Sequence, residues 1–286
     1  MTLLRILSIG CVLAMLACGA GDETPADPAN PSGDNKDAGP SDTPLTDKTN
    51  KFIAIPQTTF DMGNSLGEKE NKSYAKIELR AFQINRFEVT AEEYQACVEA
   101  SVCSKAGTYV QCNYLQEGRA NYPINCVTWE QARQYCQWKG GDLPTEAQWE
   151  LAARGTDHRI YPWGNEEPAV AAGKRANCEN VACKESVDGS SEVGSYPAGA
   201  SPYALYDMAG NVHEWTRDYY LPSFFERCLR TVCSNLWNNE AGSEGKTIRG
   251  GSFLDPATEL RTYARAHRGT LEAGSSIGFR CVLETL

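Results

Sequence analysis

Twelve cysteines in a chain of 286 residues constrain the fold of this protein more than any other feature of its sequence. So many cysteines are unusual in the reducing cytosol and are typical of proteins that fold where disulfides persist. Cys11 and Cys18 lie near the N-terminus, which leaves ten cysteines from Cys97 onward. Three close pairs among these ten suggest disulfides, namely Cys97 with Cys103, Cys178 with Cys183, and Cys228 with Cys233. The other pairings stay open at this point.

Zinc binding and redox catalysis are the alternative uses of clustered cysteines. Structural zinc sites and redox-active dithiols are usually marked by Cys-x-x-Cys pairs. No such pair occurs in the sequence. We therefore predict structural disulfides, which also suit a domain with long irregular connections.

The N-terminal residues predict export and a lipid anchor. Residues 1–18 contain one positive charge and an apolar stretch that is too short to cross a bilayer as a helix but typical of a signal peptide. The stretch ends in Met15-Leu16-Ala17-Cys18, which resembles a bacterial lipobox. We predict a lipoprotein-type signal peptide over 1–18 and lipid on Cys18. An ordinary signal, cleaved near Ala17 or Ala20, is the alternative.

A linker is predicted to follow the signal peptide. Residues 19–50 contain five Pro, six Asp and one Glu, and their only large apolar residue is Leu45. Such a segment cannot bury a core, so we predict a disordered acidic linker, followed by one folded domain over 51–286. The anchor would hold this domain in the bacterial cell envelope. Gly19 after the lipidated cysteine, in place of Asp, favours the outer membrane.

The charge of the chain argues against one class of partner. With 27 Lys and Arg against 37 Asp and Glu, the net charge is −10, and no basic tract offsets it. Phosphate backbones would be repelled, so nucleic-acid binding is not expected. The predicted partners are a membrane, through the anchor, and a protein or glycan ligand that the sequence does not identify.

Three capping boxes predict the helices. In each, a Thr precedes a Glu or Gln by three residues, an arrangement that satisfies two free backbone N–H groups at a helix start. The Thr residues are Thr90, Thr128 and Thr145, and the predicted helices span 91–100, 129–138 and 146–153. Strands are predicted over 52–62 and 76–87 and around 247–254 and 278–283. The rest is turn-rich, so we predict an irregular α+β domain stapled by disulfides.

A series of motifs in the domain resembles the formylglycine-generating enzyme (sulfatase-modifying factor) family. In chain order the motifs are PINCVTW (123–129), YCQW (135–138), GDLPTEAQWELAARG (141–155), YPWG (161–164), VGSYP (193–197), LYDMAGNVHEWT (205–216), RGGSF (249–253) and GFRC (278–281). The resemblance implies the family's single, irregular, C-type-lectin-like α+β domain. It also implies a disulfide between Cys136 and Cys281, which leaves Cys112 and Cys126 as the last pair.

Calcium is the cofactor that the resemblance implies. Composition alone indicates only a turn with two carboxylates, and hard cations prefer oxygen ligands of this kind. Carried over from the family, one calcium site would use the side chains of Asp207 and Glu214 and the carbonyls of Gly210 and Val212. A second site would use Asn177, the carbonyl of Cys178, and Asp188 as the acidic partner.

The family's catalytic centre does not carry over to this sequence. Formylglycine-generating enzymes oxidise a sulfatase cysteine with oxygen, at a copper ion that two cysteines bind. Their positions fall here on Asp255 and Leu260, and the tryptophan that lines the oxygen pocket is replaced by His213. Ser252 is retained. A carboxylate is a poor ligand for Cu(I), which prefers soft thiolates, so neither copper nor the family's oxidase reaction is expected.

The same pocket leaves room for other chemistry. Ser252, His213 and Asp255 form the candidate catalytic pocket, and His267 lies further along the chain. Two His and one Asp are the elements of a non-haem iron site. A hydrogen-bonded filler histidine is the simpler interpretation of His213. The leading hypothesis is therefore an envelope-anchored, calcium-stabilised module for binding or assembly, and a diverged oxidase of the formylglycine-generating or non-haem-iron type is the alternative.

Overall fold

The computed structural model of the protein describes residue 45 and residues 47–64, 75–168, 174–179, 183, 189–242 and 244–284. All of them belong to one compact unit, Ala38–Leu286. The predicted signal peptide and Cys18 lie outside the described residues, as does most of the predicted linker. No helix in the described part is both long and apolar enough to cross a bilayer.

Three helices form where the capping boxes predict them. They are α1 (Ala91–Glu99), α2 (Trp129–Trp138) and α3 (Glu146–Arg154), and each begins with a complete capping box. Helix α3 is the central one, because all nine of its residues are buried. The prediction of the helices is confirmed, with ends that agree to within one residue.

Ten strands in the described residues form three small sheets. The first sheet has the order β1 (Phe52–Ile55), β4 (Phe82–Asn85), β10 (Val282–Glu284). The second has the order β2 (Thr58–Met62), β3 (Ala75–Leu79), β6 (Cys233–Ser234). The third has the order β8 (Ala266–Arg268), β7 (Lys246–Arg249), β5 (His213–Tyr219), β9 (Ile277–Gly278).

The predicted strands are placed correctly but divided differently. The strand expected over 52–62 is two strands in different sheets, because the chain is interrupted after Ile55 by Pro56, which cannot donate to a ladder. The strand expected over 247–254 ends at Arg249, because Gly250 and Gly251 adopt positive φ angles of 93° and 70°. Strand β5 was not predicted at all.

Two hydrophobic clusters form the main core. The first gathers the first two sheets around Trp149 of α3, and the second gathers α1 and α2 around Trp215 of β5 and Phe279. Helix α3 and strand β5 therefore lie where the two clusters meet, and both carry buried charged side chains.

Five disulfides cross-link the described part of the chain. They join Cys97–Cys103, Cys112–Cys126, Cys136–Cys281, Cys178–Cys183 and Cys228–Cys233, which are the pairs suggested by the sequence and its family resemblance. Cys136–Cys281 spans 145 residues and ties α2 to the chain just before β10. On the loop-entropy model, closing so long a loop stabilises the fold by about 5 kcal/mol.

Some residues on the N-terminal side of the predicted domain start at residue 51 also contact the domain. Leu45 packs against a hydrophobic cluster that contains Phe87. Lys48 forms an ion pair with Glu192 at 2.7 Å, and the Asn50 side chain accepts a hydrogen bond from the backbone N–H of Phe87 at 3.1 Å. Leu45 supplies the apolar contact that the remainder of the linker composition lacks, so the packed domain begins no later than this residue.

Candidate functional site

The loop between Leu205 and β5 positions the candidate site. Three of its residues have positive φ angles, namely Asp207 (58°), Gly210 (76°) and Asn211 (64°). Gly210 is required by space as well as by its backbone angle, because a Cβ atom there would overlap the carbonyl oxygen of Asn177. The loop therefore has one tightly packed conformation, and β5 begins directly after it at His213.

The structure brings together the three residues of the predicted catalytic pocket. Nε2 of His213 lies 3.0 Å from Oδ2 of Asp255. The same carboxylate oxygen accepts hydrogen bonds from the backbone N–H of Ser252, at 2.9 Å, and from the Ser252 hydroxyl group. Ser252 is buried, and the side chains of His213 and Asp255 are 7% and 26% exposed. One carboxylate oxygen thus links all three residues.

Burial and hydrogen bonding act on Asp255 in opposite directions. Burial raises the pKa of its carboxyl group, but the hydrogen bonds and charge of His213 and the hydrogen bonds of Ser252 lower it, and the net pKa is below its ordinary value. Nδ1 of His213 is buried and has no hydrogen-bond partner among the described residues. The cluster therefore consists of an ionised carboxylate and an imidazole, which are not the soft ligands that Cu(I) prefers.

Leu260 occupies the other position at which the resemblance places a copper-binding cysteine. Its side chain is fully buried in a small hydrophobic cluster with Cys178, against which Cys183 also packs. The backbone N–H of Glu179 donates to the carbonyl oxygen of Asp255 at 3.0 Å. Cys178, Glu179 and Cys183 therefore lie close to Asp255 and Leu260.

The described chain offers no free thiol at this pocket or elsewhere. All ten cysteines from Cys97 to Cys281 are in disulfides. The sequence has no cysteine between Cys233 and Cys281, where the catalytic pair of the family would fall. A thiolate ligand for copper would require one of these disulfides to be reduced.

The non-haem iron site predicted as an alternative does not form. His267 is part of β8, where its ring stacks on Tyr220 at 4.6 Å and its Nδ1 lies 2.8 Å from the carbonyl oxygen of Glu244. Of the three residues, only His213 and Asp255 are in contact. Among the described residues, no group of three or more His, Cys, Asp and Glu side chains is arranged to hold a metal ion. The expectation failed because it rested on closeness in sequence.

The predicted calcium loop contains one carboxylate that already has a cationic partner. Both oxygens of Glu214 accept hydrogen bonds from the Arg280 guanidinium, each at 2.7 Å, and Oε2 also accepts from Nε1 of Trp149 at 2.8 Å. Glu214 and Arg280 are fully buried. Three of the roughly four lone-pair directions of Glu214 are thus in use, so it has little capacity left for a metal ion.

Asp207 is the carboxylate of this loop that has one oxygen without a hydrogen-bond partner among the described residues. Its Oδ2 accepts a hydrogen bond from the backbone N–H of Gly194 at 2.6 Å, while its Oδ1 is buried without a hydrogen-bond partner in the described part of the chain. Burial raises the pKa of Asp207 to about 6. An unpartnered buried carboxylate oxygen is a suitable ligand for a hard cation such as Ca²⁺.

Glu88 is a third buried carboxylate next to this loop, and the sequence analysis missed it. It is fully buried, and burial together with the charges of Asp207 and Glu214 raises its pKa well above the ordinary value. We call Glu88, Asp207 and Glu214 the buried carboxylate cluster. If all three were ionised, the single charge of Arg280 would leave an excess of two negative charges. One acidic residue between Phe87 and Val89 was the only signal in the sequence.

The second predicted calcium site lies partly outside the described residues, because Asp188 is not among them. The Asn177 side chain donates hydrogen bonds to the carbonyl oxygen of Gly189, at 3.0 Å, and to the Ser191 hydroxyl group, at 3.1 Å. The backbone carbonyl oxygen of Asn177 accepts a hydrogen bond from the backbone N–H of Asn211 at 2.8 Å. Asn177 thus connects the two predicted calcium sites, and the second site stays a prediction.

A protein-family model described as "Sulfatase-modifying factor enzyme 1-like domain" matches residues 38–285. The formylglycine-generating enzyme of Thermomonospora curvata is 34% identical over 288 residues, which cover 82% of this chain and 94% of that enzyme. The match begins at residue 38, before the predicted start of the domain at residue 51.

Two other relatives resemble this chain over only part of their own length. The serine/threonine-protein kinase pkn1 of Chlamydia caviae is 30% identical over 246 residues, which cover 81% of this chain but 37% of the kinase. The inactive C-alpha-formylglycine-generating enzyme 2 of Bos taurus is 31% identical over 173 residues, with 57% of this chain and 50% of the relative covered. This chain therefore spans half or less of these relatives.

Solved structures confirm the predicted fold. PvdO from Pseudomonas aeruginosa matches with a TM-score of 0.68 and 23% identity, over 82% of this chain and 94% of the PvdO chain. Treponema denticola variable protein 1 matches with a TM-score of 0.64 and 21% identity, over 82% of this chain and 95% of its own. At such low identity these matches show the fold alone.

Proposed function

The chain belongs to the sulfatase-modifying-factor family, and on that premise we propose that it is a diverged member without the family's copper-dependent oxidase activity. Its domain would serve as a binding or assembly module in the bacterial envelope. The observation that carries this proposal is the chemistry at positions 255 and 260. A hydrogen-bonded carboxylate and a buried leucine stand where the enzymes of the family need two thiolates.

The state of the other cysteines supports the same conclusion. A copper site could in principle be rebuilt from cysteines elsewhere in the chain, but all ten from Cys97 onward are in disulfides. The Cys178–Cys183 pair lies close to the replaced positions, and it too is oxidised. Diverged relatives without the enzyme's activity exist, since one similar protein is named an inactive formylglycine-generating enzyme.

Calcium is the metal that we propose for the domain. The buried carboxylate cluster places three acidic side chains beside the single cation of Arg280, and Oδ1 of Asp207 has no hydrogen-bond partner among the described residues. Burying unpaired charges costs several kcal/mol each, so a divalent cation would stabilise the folded state. Asp207 and the carbonyls of Gly210 and Val212 would hold the ion, while Glu214 would stay paired with Arg280. Calcium would act here as a structural group that fixes the loop before β5.

The location that we propose is the bacterial envelope, with lipid on Cys18 as the anchor. The supporting observation is the signal-like segment 1–18 with its lipobox-like end. Metabolic labelling with a radioactive fatty acid tests the anchor. Labelled protein in the membrane fraction is expected from the natural sequence, and a soluble, unlabelled protein is expected from Cys18→Ser. Equal labelling of both would contradict the anchor.

The oxidase activity itself is tested with a sulfatase peptide that contains Cys-Thr-Pro-Ser-Arg. The full chain is incubated with the peptide, copper, a thiol reductant and oxygen, and mass spectrometry follows the peptide cysteine. We expect no formylglycine, whereas the Thermomonospora curvata enzyme under the same conditions serves as the positive control. Formation of formylglycine by this chain would overturn the proposal in favour of a diverged oxidase.

A further inference from the structure

A short disulfide-closed loop extends from the second sheet. Cys228 ends the 3₁₀ turn Phe224–Cys228, and its disulfide to Cys233 closes the loop at the start of β6. Phe224, Phe225 and Cys228 are buried in the first hydrophobic cluster, and Cys233 packs against it. The base of the loop is therefore fixed by core packing, by a covalent bond and by the pairing of β6 with β3. We call residues 229–232 the loop tip.

The loop tip exposes two apolar side chains. Leu229 is 52% exposed and Val232 is 48% exposed, while the two phenylalanines at the base are buried. Single apolar residues are common on protein surfaces, but these two lie within one covalently closed loop of the chain. A closed loop on a packed base loses little conformational freedom when another surface covers it, so the tip is suited to an intermolecular contact.

Arginine is the main charged residue at this loop. The charged residues of the loop segment are Glu226, Arg227 and Arg230, and the neighbouring strand β3 and its end contribute Glu78 and Arg80, which bond to the chain from β6 onward. The Arg227 guanidinium lies 4.3 Å from the centre of the Phe224 ring, and neither Arg227 nor Arg230 forms an ion pair with a described residue. These five residues leave an excess of one positive charge, in a chain whose net charge is −10. Guanidinium groups bind phosphate oxygens well, often through two hydrogen bonds.

Exposed leucine and valine beside unpaired arginines suit a phospholipid surface. Apolar side chains can lie at the boundary between headgroups and acyl chains, while guanidinium groups bind the lipid phosphates. The proposed anchor on Cys18 would hold the domain at such a surface. Residues 19–44 separate Cys18 from Leu45, which packs on the domain, and these 26 residues span at most about 90 Å when extended. An anchor on a tether of this length allows the loop tip to reach the lipid.

We propose that the loop tip is a membrane-contacting element, in which Leu229 and Val232 enter a phospholipid surface and Arg227 and Arg230 bind its phosphates, with a preference for anionic lipids. This inference rests on the proposed envelope anchor. Two apolar side chains bind lipid weakly by themselves, but a tether raises the effective concentration of the surface, so a weak contact is sufficient. The contact would determine which side of the domain faces the membrane.

The test uses tryptophan fluorescence of the full chain on vesicles of phosphatidylcholine with brominated acyl chains, with and without phosphatidylglycerol. Bromine quenches a tryptophan that enters the lipid. Leu229→Trp places the reporter in the loop tip, and Leu271→Trp is the matched control, because Leu271 is 87% exposed between β8 and β9. The natural chain gives the background of its six tryptophans. We expect bromine to reduce the added fluorescence of Leu229→Trp, most strongly with phosphatidylglycerol, and to leave that of Leu271→Trp unchanged.

Two further variants test the arginines and protect against a folding defect. Adding Arg227→Glu and Arg230→Glu to Leu229→Trp should abolish the quenching on vesicles that contain phosphatidylglycerol, and Val232→Trp replaces the reporter if Leu229→Trp does not fold. Sedimentation of the vesicles measures attachment of the chain separately. Attached protein whose loop-tip tryptophan is quenched no more than that of Leu271→Trp would overturn the inference and leave the anchor standing. A natural chain that does not sediment with the vesicles would overturn the anchor and the inference together.

Discussion

Nε2 of His213 lies 3.0 Å from Oδ2 of Asp255, at the two positions where the family resemblance places a tryptophan and a copper-binding cysteine. The contact gives the buried His213 ring a polar partner at Nε2. Ser252, which matches the family motif, donates hydrogen bonds from its hydroxyl group and its backbone N–H to the same oxygen. The predicted catalytic pocket is thus occupied by a hydrogen-bonded cluster of His213, Asp255 and Ser252.

The first prediction concerns this cluster. Asp255→Asn should destabilise the protein at pH 7 by about 1–3 kcal/mol, because His213 and Ser252 lose a charged acceptor. The pKa of Asp255 is below its ordinary value in the folded state, so its stabilising contribution is complete above pH about 4 and is lost as the pH falls through the folded-state pKa. Urea unfolding of both proteins at pH 7 and pH 3 measures this. A difference in stability that does not shrink at pH 3 would contradict it.

The second prediction concerns Asp207 and the absence of calcium. Its pKa of about 6 is above that of the unfolded chain, so in EDTA this residue makes the protein less stable as the pH rises from about 4 to 6. Asp207→Asn removes the buried charge and keeps an acceptor for Gly194. We expect this variant to be more stable than the natural chain at pH 7 in EDTA, by about 1–3 kcal/mol, and less stable in calcium. Calorimetric melting in both buffers tests the reversal.

The third prediction concerns the space around Gly210. Gly210→Ala would force a Cβ atom into the carbonyl oxygen of Asn177 at a positive φ, and we expect a destabilisation of about 3 kcal/mol or more. Gly118 is the matched control, because its φ is also positive, at 77°, and no atom lies within 4 Å of an added Cβ. Gly118→Ala should cost about 1 kcal/mol. Equal effects of the two substitutions in urea unfolding would show that packing against Asn177 is unimportant.

The fourth prediction compares a long-range and a short-range disulfide. Replacing Cys136 and Cys281 with Ala should destabilise the protein by about 5 kcal/mol at most on the loop-entropy model, because the bond spans 145 residues. Replacing Cys97 and Cys103 with Ala, whose separation is 6, should cost about 2 kcal/mol on the same model. Denaturant midpoints of the two double variants give the comparison, and a larger effect for the short-range pair would contradict the entropic explanation.

The elements that were predictable from the sequence are those specified by neighbouring residues. Thr90, Thr128 and Thr145 mark the helix starts correctly, because a capping box is complete within four residues of chain. Strand β5 was missed because its sequence is rich in charged residues, and it exists through pairing with β7 and β9 from distant parts of the chain. Local pattern carries no information about such partners.

In the candidate site, too, some residues could be predicted from the sequence and others could not. The His213–Asp255 contact followed from the family resemblance, since the resemblance carries information about which distant residues meet. His267 was placed near them only on its position in the chain, and the structure puts it on Tyr220 instead. Glu88 was missed because its significance depends on burial beside Asp207 and Glu214, which only the folded chain brings about.

The most direct measurement of the central claim is a titration of the full chain, carrying Cys11→Ser and Cys18→Ser, with Cu(I) in competition with a chromogenic chelator. Thiolates are required to hold Cu(I), and the positions that would supply them are Asp255 and the buried Leu260. We predict that this chain takes no copper from the chelator, whereas the Thermomonospora curvata enzyme does. Stoichiometric binding of Cu(I) by this chain would contradict the claim that its catalytic centre has been replaced.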